Sequence, residues 1–168
     1  ILINLNNKDI ILNLNDGNAR GWSKEIKKII KNYKNRFLLK LINWGDADMI
    51  NFFDKHDHFV LPQAAQKIPC GKLYFDQMNK WSCNYAIPFS SLHRYVRSDS
   101  IKMNEFVTPL ELHSENFNNI NGELLPAFLM WDTDRVDYKL INPEINENEL
   151  KKPEEFGDCL LYTSPSPR

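Results

Sequence analysis

Long hydrophobic runs are missing from this chain. No apolar stretch approaches the roughly 18 residues of a membrane-spanning helix, so the sequence implies no membrane partner. An excess of either charge is missing too: 21 Lys and Arg stand against 22 Asp and Glu, a formal net charge of −1. That balance leaves no electrostatic footprint for nucleic acid or an anionic surface. Cysteine is scarce. Outside the last ten residues only Cys70 and Cys83 occur, and their spacing is neither that of a zinc knuckle nor that of a redox pair. This argues against a disulfide scaffold and for reduced thiols in a cytoplasmic protein. Internal repeats are absent, as is the Gly-x-Ser-x-Gly elbow of a serine hydrolase.

What is present is a chain with 42% hydrophobic and 12% aromatic residues, sufficient for one domain or part of one. Its last ten residues, Cys159 to Arg168, resemble a translated sequencing adapter and are expected to be an artefactual disordered tail. A natural Ser/Pro-rich disordered end would equally carry no function. Ile1 opens an apolar run without Met, so the reading expects an N-terminal part to be missing. The expected division is a folded unit over 1–145, an acidic loop or tail over 146–158 and the tail over 159–168.

The apolar runs at 1–5 and 10–14 flank Asn6-Asn7-Lys8-Asp9, whose side chains tolerate turns, and so predict a β-hairpin. Ser23 is the expected cap of a helix with Ile26, Ile29, Ile30 and Tyr33 on one face. Phe37 to Ile42 reads as a central strand buried on both sides. A helix over 72–82 after Pro69, a strand over 85–89, a short helix opened by the capping box Thr108-Pro109-Leu110-Glu111, and a last strand over 124–131 complete the order. Residues 132–158 read as loop.

Chemistry concentrates at strand ends. Asp16 closes one strand, and Pro88 to Ser100 leads from another into a loop with His93, Arg94, Arg97 and several serines. Two strand ends converging on one polar site is the simplest reading. Asp46 and Asp48 follow the buried strand and suit a general base or a partner orienting a metal-bound His; turn chemistry after Gly45 explains them as readily. Arg94 and Arg97 suit a bidentate clamp on a phosphate or carboxylate, against the commoner surface pairing with Asp99 or Glu105. Trp44 and Trp131 suit pocket walls or plain core. His56 and His58, in Asp54-Lys55-His56-Asp57-His58, and His113 read as surface residues.

The strand ending Leu14-Asn15-Asp16, the amphipathic helix, the buried strand with its Gly45-Asp46-Ala47 loop, and Pro88-Phe89-Ser90-Ser91 together resemble the C-terminal half of metallo-β-lactamase-fold proteins. The nearest likeness is to the lactamase-like domain of CMP-N-acetylneuraminate hydroxylase and its bacterial relatives. The resemblance covers about residues 1–145 and implies an α+β fold: half of an αββα sandwich, a mixed sheet with helices on one face. It implies a divalent metal, zinc, iron or manganese, in the full-length parent and none in the fragment alone. Asp16 matches the bridging carboxylate and His93 the late His ligand, while the His-x-His-x-Asp-His motif that supplies the other ligands is absent. Each of the two reads equally as an ordinary polar loop residue. The implied activity is that of a metal-dependent hydrolase or hydroxylase-like enzyme on a small phosphorylated or nucleotide-sugar-like anion, partnered by the missing half of its own domain. The alternative is a binding or scaffold domain that keeps the sandwich without metal.

Overall fold

Asn6 sets the first hairpin. Its Oδ1 accepts the backbone N–H groups of Lys8 and Asp9 at 2.7 and 2.8 Å, an Asx-type turn that reverses β1 (Leu2–Asn4) into β2 (Asp9–Asn15). The two strands pair antiparallel, with Ile3 opposite Ile11. In this computed structural model the described residues are 1–15, 17, 19, 21–42, 54–56, 58, 60, 69–89, 104–106, 112–118 and 121–141. The expected capping-box helix at Thr108 lies outside them.

After β2, two helices among the described residues lie on the connections between parallel strands. Helix α1 (Ser23–Ile30) leads to β3 (Asn35–Lys40), and helix α2 (Cys70–Trp81) precedes β4 (Tyr85–Pro88). A two-residue strand, β5 (Glu123–Leu124), completes a sheet of order β1-β2-β3-β4-β5, in which all pairings but the first are parallel. The class is therefore α+β with a mixed sheet. Strand order advances in one direction, and right-handed crossovers then put successive helices on the same face. The core agrees: Ile30 of α1 and Tyr74, Met78 and Trp81 of α2 cluster with Ile10, Leu12, Leu38 and Ala86 of the strands. Leu38 is fully buried and Phe37, on the opposite side of the same strand, nearly so, as a doubly covered central strand requires.

Several local expectations change. Trp22, not Ser23, holds the N-cap position of α1, and Ile29 is exposed because it flanks the apolar stripe defined by Ile26, Ile30 and Tyr33. Helix α2 starts at Cys70 directly after Pro69 and ends with Ser82 in the left-handed region, its N–H bonding Asn79 O and that of Cys83 bonding Met78 O. The single strand expected over 124–131 is two strands in two sheets, because Pro126 cannot extend a ladder. The second of them, β6 (Leu129–Asp132), pairs with β7 (Asp137–Leu140) where loop was expected. Asp132 builds that hairpin's turn by accepting the N–H groups of Asp134 and Arg135, and these bonds hold its carboxyl below its ordinary range.

The hairpin covers the far side of the sheet. Register and alternation put Ile3, Ile11, Phe37 and Tyr85 in one row on that face. Trp131 of β6 packs against Phe37 and Tyr85, with ring centroids 4.8 and 5.0 Å apart. Trp131 is thus a packing residue. Replacing it with Ala is expected to cost about 3 kcal/mol and to free β6 and β7 while the helix-side core stays closed. Hydrogen exchange across 129–140 rising ahead of exchange at Leu38 is the measurement, and equal acceleration of both would show one undivided core. Beyond the hairpin, Ile11, Leu39 and Ile87 on the same face stay only partly covered.

Candidate functional site

Parallel strands align their ends, and here three adjacent ones finish in step: Asn15 of β2 lies opposite Lys40 of β3, and Lys40 opposite Pro88 of β4. Each is followed by a polar segment that the sequence singled out. Asp16 follows β2; Trp44, Asp46 and Asp48 follow β3; His93, Arg94 and Arg97 follow β4. All seven lie outside the described residues; what the structure places is the strand that precedes each of them in the sequence. The carboxyl ends of neighbouring parallel strands are where open α/β sheets gather ligand-binding loops.

The end of β2 is an irregular piece of backbone. The register slips between Asn13 and Asn15, a β-bulge, and Asn15 takes a positive φ of 45°. A non-glycine residue there costs of order 1 kcal/mol or more, and such positions cluster at functional sites. Asn suits the position because it tolerates the left-handed region. Its own N–H donates to the Asn13 side chain at 3.1 Å, and Gly17 N–H closes a turn on Leu14 O at 2.7 Å. Bulges re-aim the residue that follows them.

Lys40 braces this turn from the next strand. Its Nζ donates to Asn15 O at 3.3 Å and to Gly17 O at 3.2 Å, while Leu41 N–H donates to Asn15 O at 2.9 Å. The carbonyls on both sides of Asp16 in the sequence are therefore tied to β3. Sequence reasoning missed Lys40. The available signal was its position as the one charge inside the apolar run from Phe37 to Ile42.

His56 and His58 are exposed, as expected for a polar loop. Asp54 Oδ1 accepts both of their backbone N–H groups, and its Oδ2 is 3.4 Å from His58 Nδ1. Among the described residues no group of three or more His, Cys, Asp or Glu side chains is disposed to hold a metal ion. His113 is a correction: expected at the surface, it is only 3% exposed and its ring is 6.3 Å from that of Tyr74. Burial pushes the Tyr74 hydroxyl well above its ordinary range and the Cys83 thiol up to about 12, with the Arg36 guanidinium opposing the latter. Neither group is poised to react near neutral pH. Cys70 and Cys83 are buried free thiols.

The opposite edge of the sheet is structural. Asp9 is fully buried, its two carboxyl oxygens receiving Asn35 Nδ2 at 2.6 Å and Asn6 Nδ2 at 2.8 Å. Asn84 bonds both Arg36 N–H and Lys34 O, stitching β3 to the start of β4.

Comparison of the chain with protein-family models, with curated proteins and with solved structures finds no match. No helix among the described residues is long and apolar enough to cross a membrane.

Proposed function

We propose that this chain carries part of a metal-dependent hydrolase or hydroxylase-like domain of the metallo-β-lactamase kind, acting on a small phosphorylated or nucleotide-sugar-like anion. The carrying observation is the shared edge: β2, β3 and β4 are neighbours, run parallel and end in step, and the three segments rich in Asp, His and Arg leave from those ends. The bulged, left-handed end of β2 just before Asp16 adds to it, since strain of this sort gathers at sites. The partly covered far face, with Ile11, Leu39 and Ile87, suits a second apolar sheet from another part of the same domain.

In this reading Asp16 and His93 hold the ion, since carboxylate and imidazole suit zinc, iron or manganese. Such an ion, when bound, supplies a hydroxide nucleophile near neutral pH. Two donors are fewer than the three protein ligands usual at catalytic centres, so the opposed sheet brings the rest. Asp46 or Asp48 accepts a proton or orients the His93 ring. Arg94 and Arg97 grip the oxyanion of the substrate, and Trp44 walls the pocket. Two buried free thiols suit a reducing cytoplasmic setting.

The test is a Co²⁺ titration of the full chain into the millimolar range, followed by paramagnetic broadening of the Gly17 amide and the histidine ring signals. Asp16→Ala and His93→Ala should each weaken the effect about tenfold or more, with His56→Ala and His58→Ala within about twofold. Loss in the His56 or His58 variants with retention in His93→Ala would move the site to the exposed loop. With two donors the chain alone holds no stoichiometric ion and shows the effect only at millimolar Co²⁺; no broadening at Gly17 even there would leave a non-catalytic binding or scaffold domain.

A further inference from the structure

We infer that Lys40 is the positioning residue of this edge: a resident cation whose ammonium fixes the backbone on both sides of Asp16. The inference rests on the metal reading above for its functional meaning, though not for its geometry. The turn after β2 needs a brace because its parts are costly. A bulge leaves a residue out of the ladder, and Asn15 sits at a φ of 45°, a left-handed conformation that Asn tolerates and that surrounding bonds help to hold. Gly17 N–H to Leu14 O ties the turn back to its own strand, β2, and leaves it without a tie to the neighbouring strand. Leu41 N–H fixes Asn15 O from β3, on the near side of Asp16.

Lys40 supplies the tie on the far side. Its Nζ spans Asn15 O at 3.3 Å and Gly17 O at 3.2 Å, so one ammonium bridges the residues that flank Asp16. Charge-assisted bonds to carbonyls are stronger than neutral ones, and the Asn15 contact is partly buried. A lysine has three donors and a single point of charge, which matches two carbonyls converging from one turn. The position also explains why a charge interrupts an otherwise apolar parallel strand, where burial of Lys is rare without partners.

A bystander cation and a positioning one differ in sign. Removing a bystander charge from beside a metal site relieves repulsion and tightens binding of the ion. Removing a brace loosens the ligand it holds and weakens binding.

The experiment compares the full chain with Lys40→Met and Lys40→Arg by amide exchange at Gly17 and Leu41 and by the Co²⁺ titration. In Lys40→Met, exchange at Gly17 should accelerate about tenfold relative to Leu38, and Co²⁺ affinity read at Gly17 should fall about fivefold. Lys40→Arg, which keeps charge and donors, should return both to within about twofold of the parent. Unchanged exchange in Lys40→Met, or Co²⁺ binding that tightens, overturns the assignment. If the parent chain gives no Co²⁺ effect at Gly17, the metal reading fails and the exchange comparison alone decides Lys40.

Discussion

Replacing Gly71 with Ala is expected to cost the fold about 2 to 4 kcal/mol and to lower the melting temperature by roughly 5 to 10 °C. Helix propensity alone argues the reverse, since Ala is favoured over Gly by about 1 kcal/mol inside a helix. Packing decides the sign. A β-carbon on Gly71 would run into Glu115 O and Phe117 N, with the Glu115 carbonyl carbon 2.9 Å away. All three are backbone atoms, so no rotamer change relieves them; the 112–117 segment must lift off α2. That segment brings His113 against Tyr74, and its ring should become solvent-accessible in the variant. Calorimetry and the His113 ring resonance check this, and a raised melting temperature would mean that the segment does not rest on the helix.

Asn35→Ala should cost a similar amount, about 2 to 4 kcal/mol. The substitution removes the 2.6 Å donor to Asp9 Oδ1 and leaves that oxygen buried with its desolvation uncompensated. The double variant Asp9→Ala/Asn35→Ala should be less destabilised than the sum of the two single changes by about 1 to 2 kcal/mol, because it removes acceptor and donor together. Chemical denaturation of the three variants gives the coupling. Strict additivity would mean that the Asp9–Asn35 bond carries no net stability and that Asn6 alone satisfies the carboxyl.

The parts of the fold legible in the sequence are those fixed by local chemistry. Asn6-Asn7-Lys8-Asp9 announced a turn because Asn and Asp side chains bond their own backbone, and the Phe37–Ile42 run announced a buried strand because both faces are apolar. What escaped depends on partners distant along the chain. The burial of His113 comes from α2, more than 30 residues away, and no local pattern encodes it. The β6–β7 hairpin was hidden because residues 133–136 hold no Asn-Gly or Asp-Gly pair; Asp132 makes the turn with its side chain instead. For the candidate site, the strands and their succession along the chain were readable, though not their places in the sheet, and so were the polar residues that follow them in the sequence. The bracing of Asn15 and Gly17 by Lys40 was not, since a lysine in a strand more often covers surface with its stem.

In the main sheet the strands lie across the fold in the same sequence in which they occur along the chain, from β1 to β5. During synthesis each new strand therefore meets an edge already made, and no later strand has to be inserted between two earlier ones. Growth from one side keeps the loop to be closed at each step as short as the intervening crossover allows. The Trp131 hairpin, made last, seals the Phe37 and Tyr85 rings from the opposite direction. Until residue 140 has left the ribosome, that aromatic pair lacks its lid and adds to the apolar surface that a nascent chain exposes to chaperones.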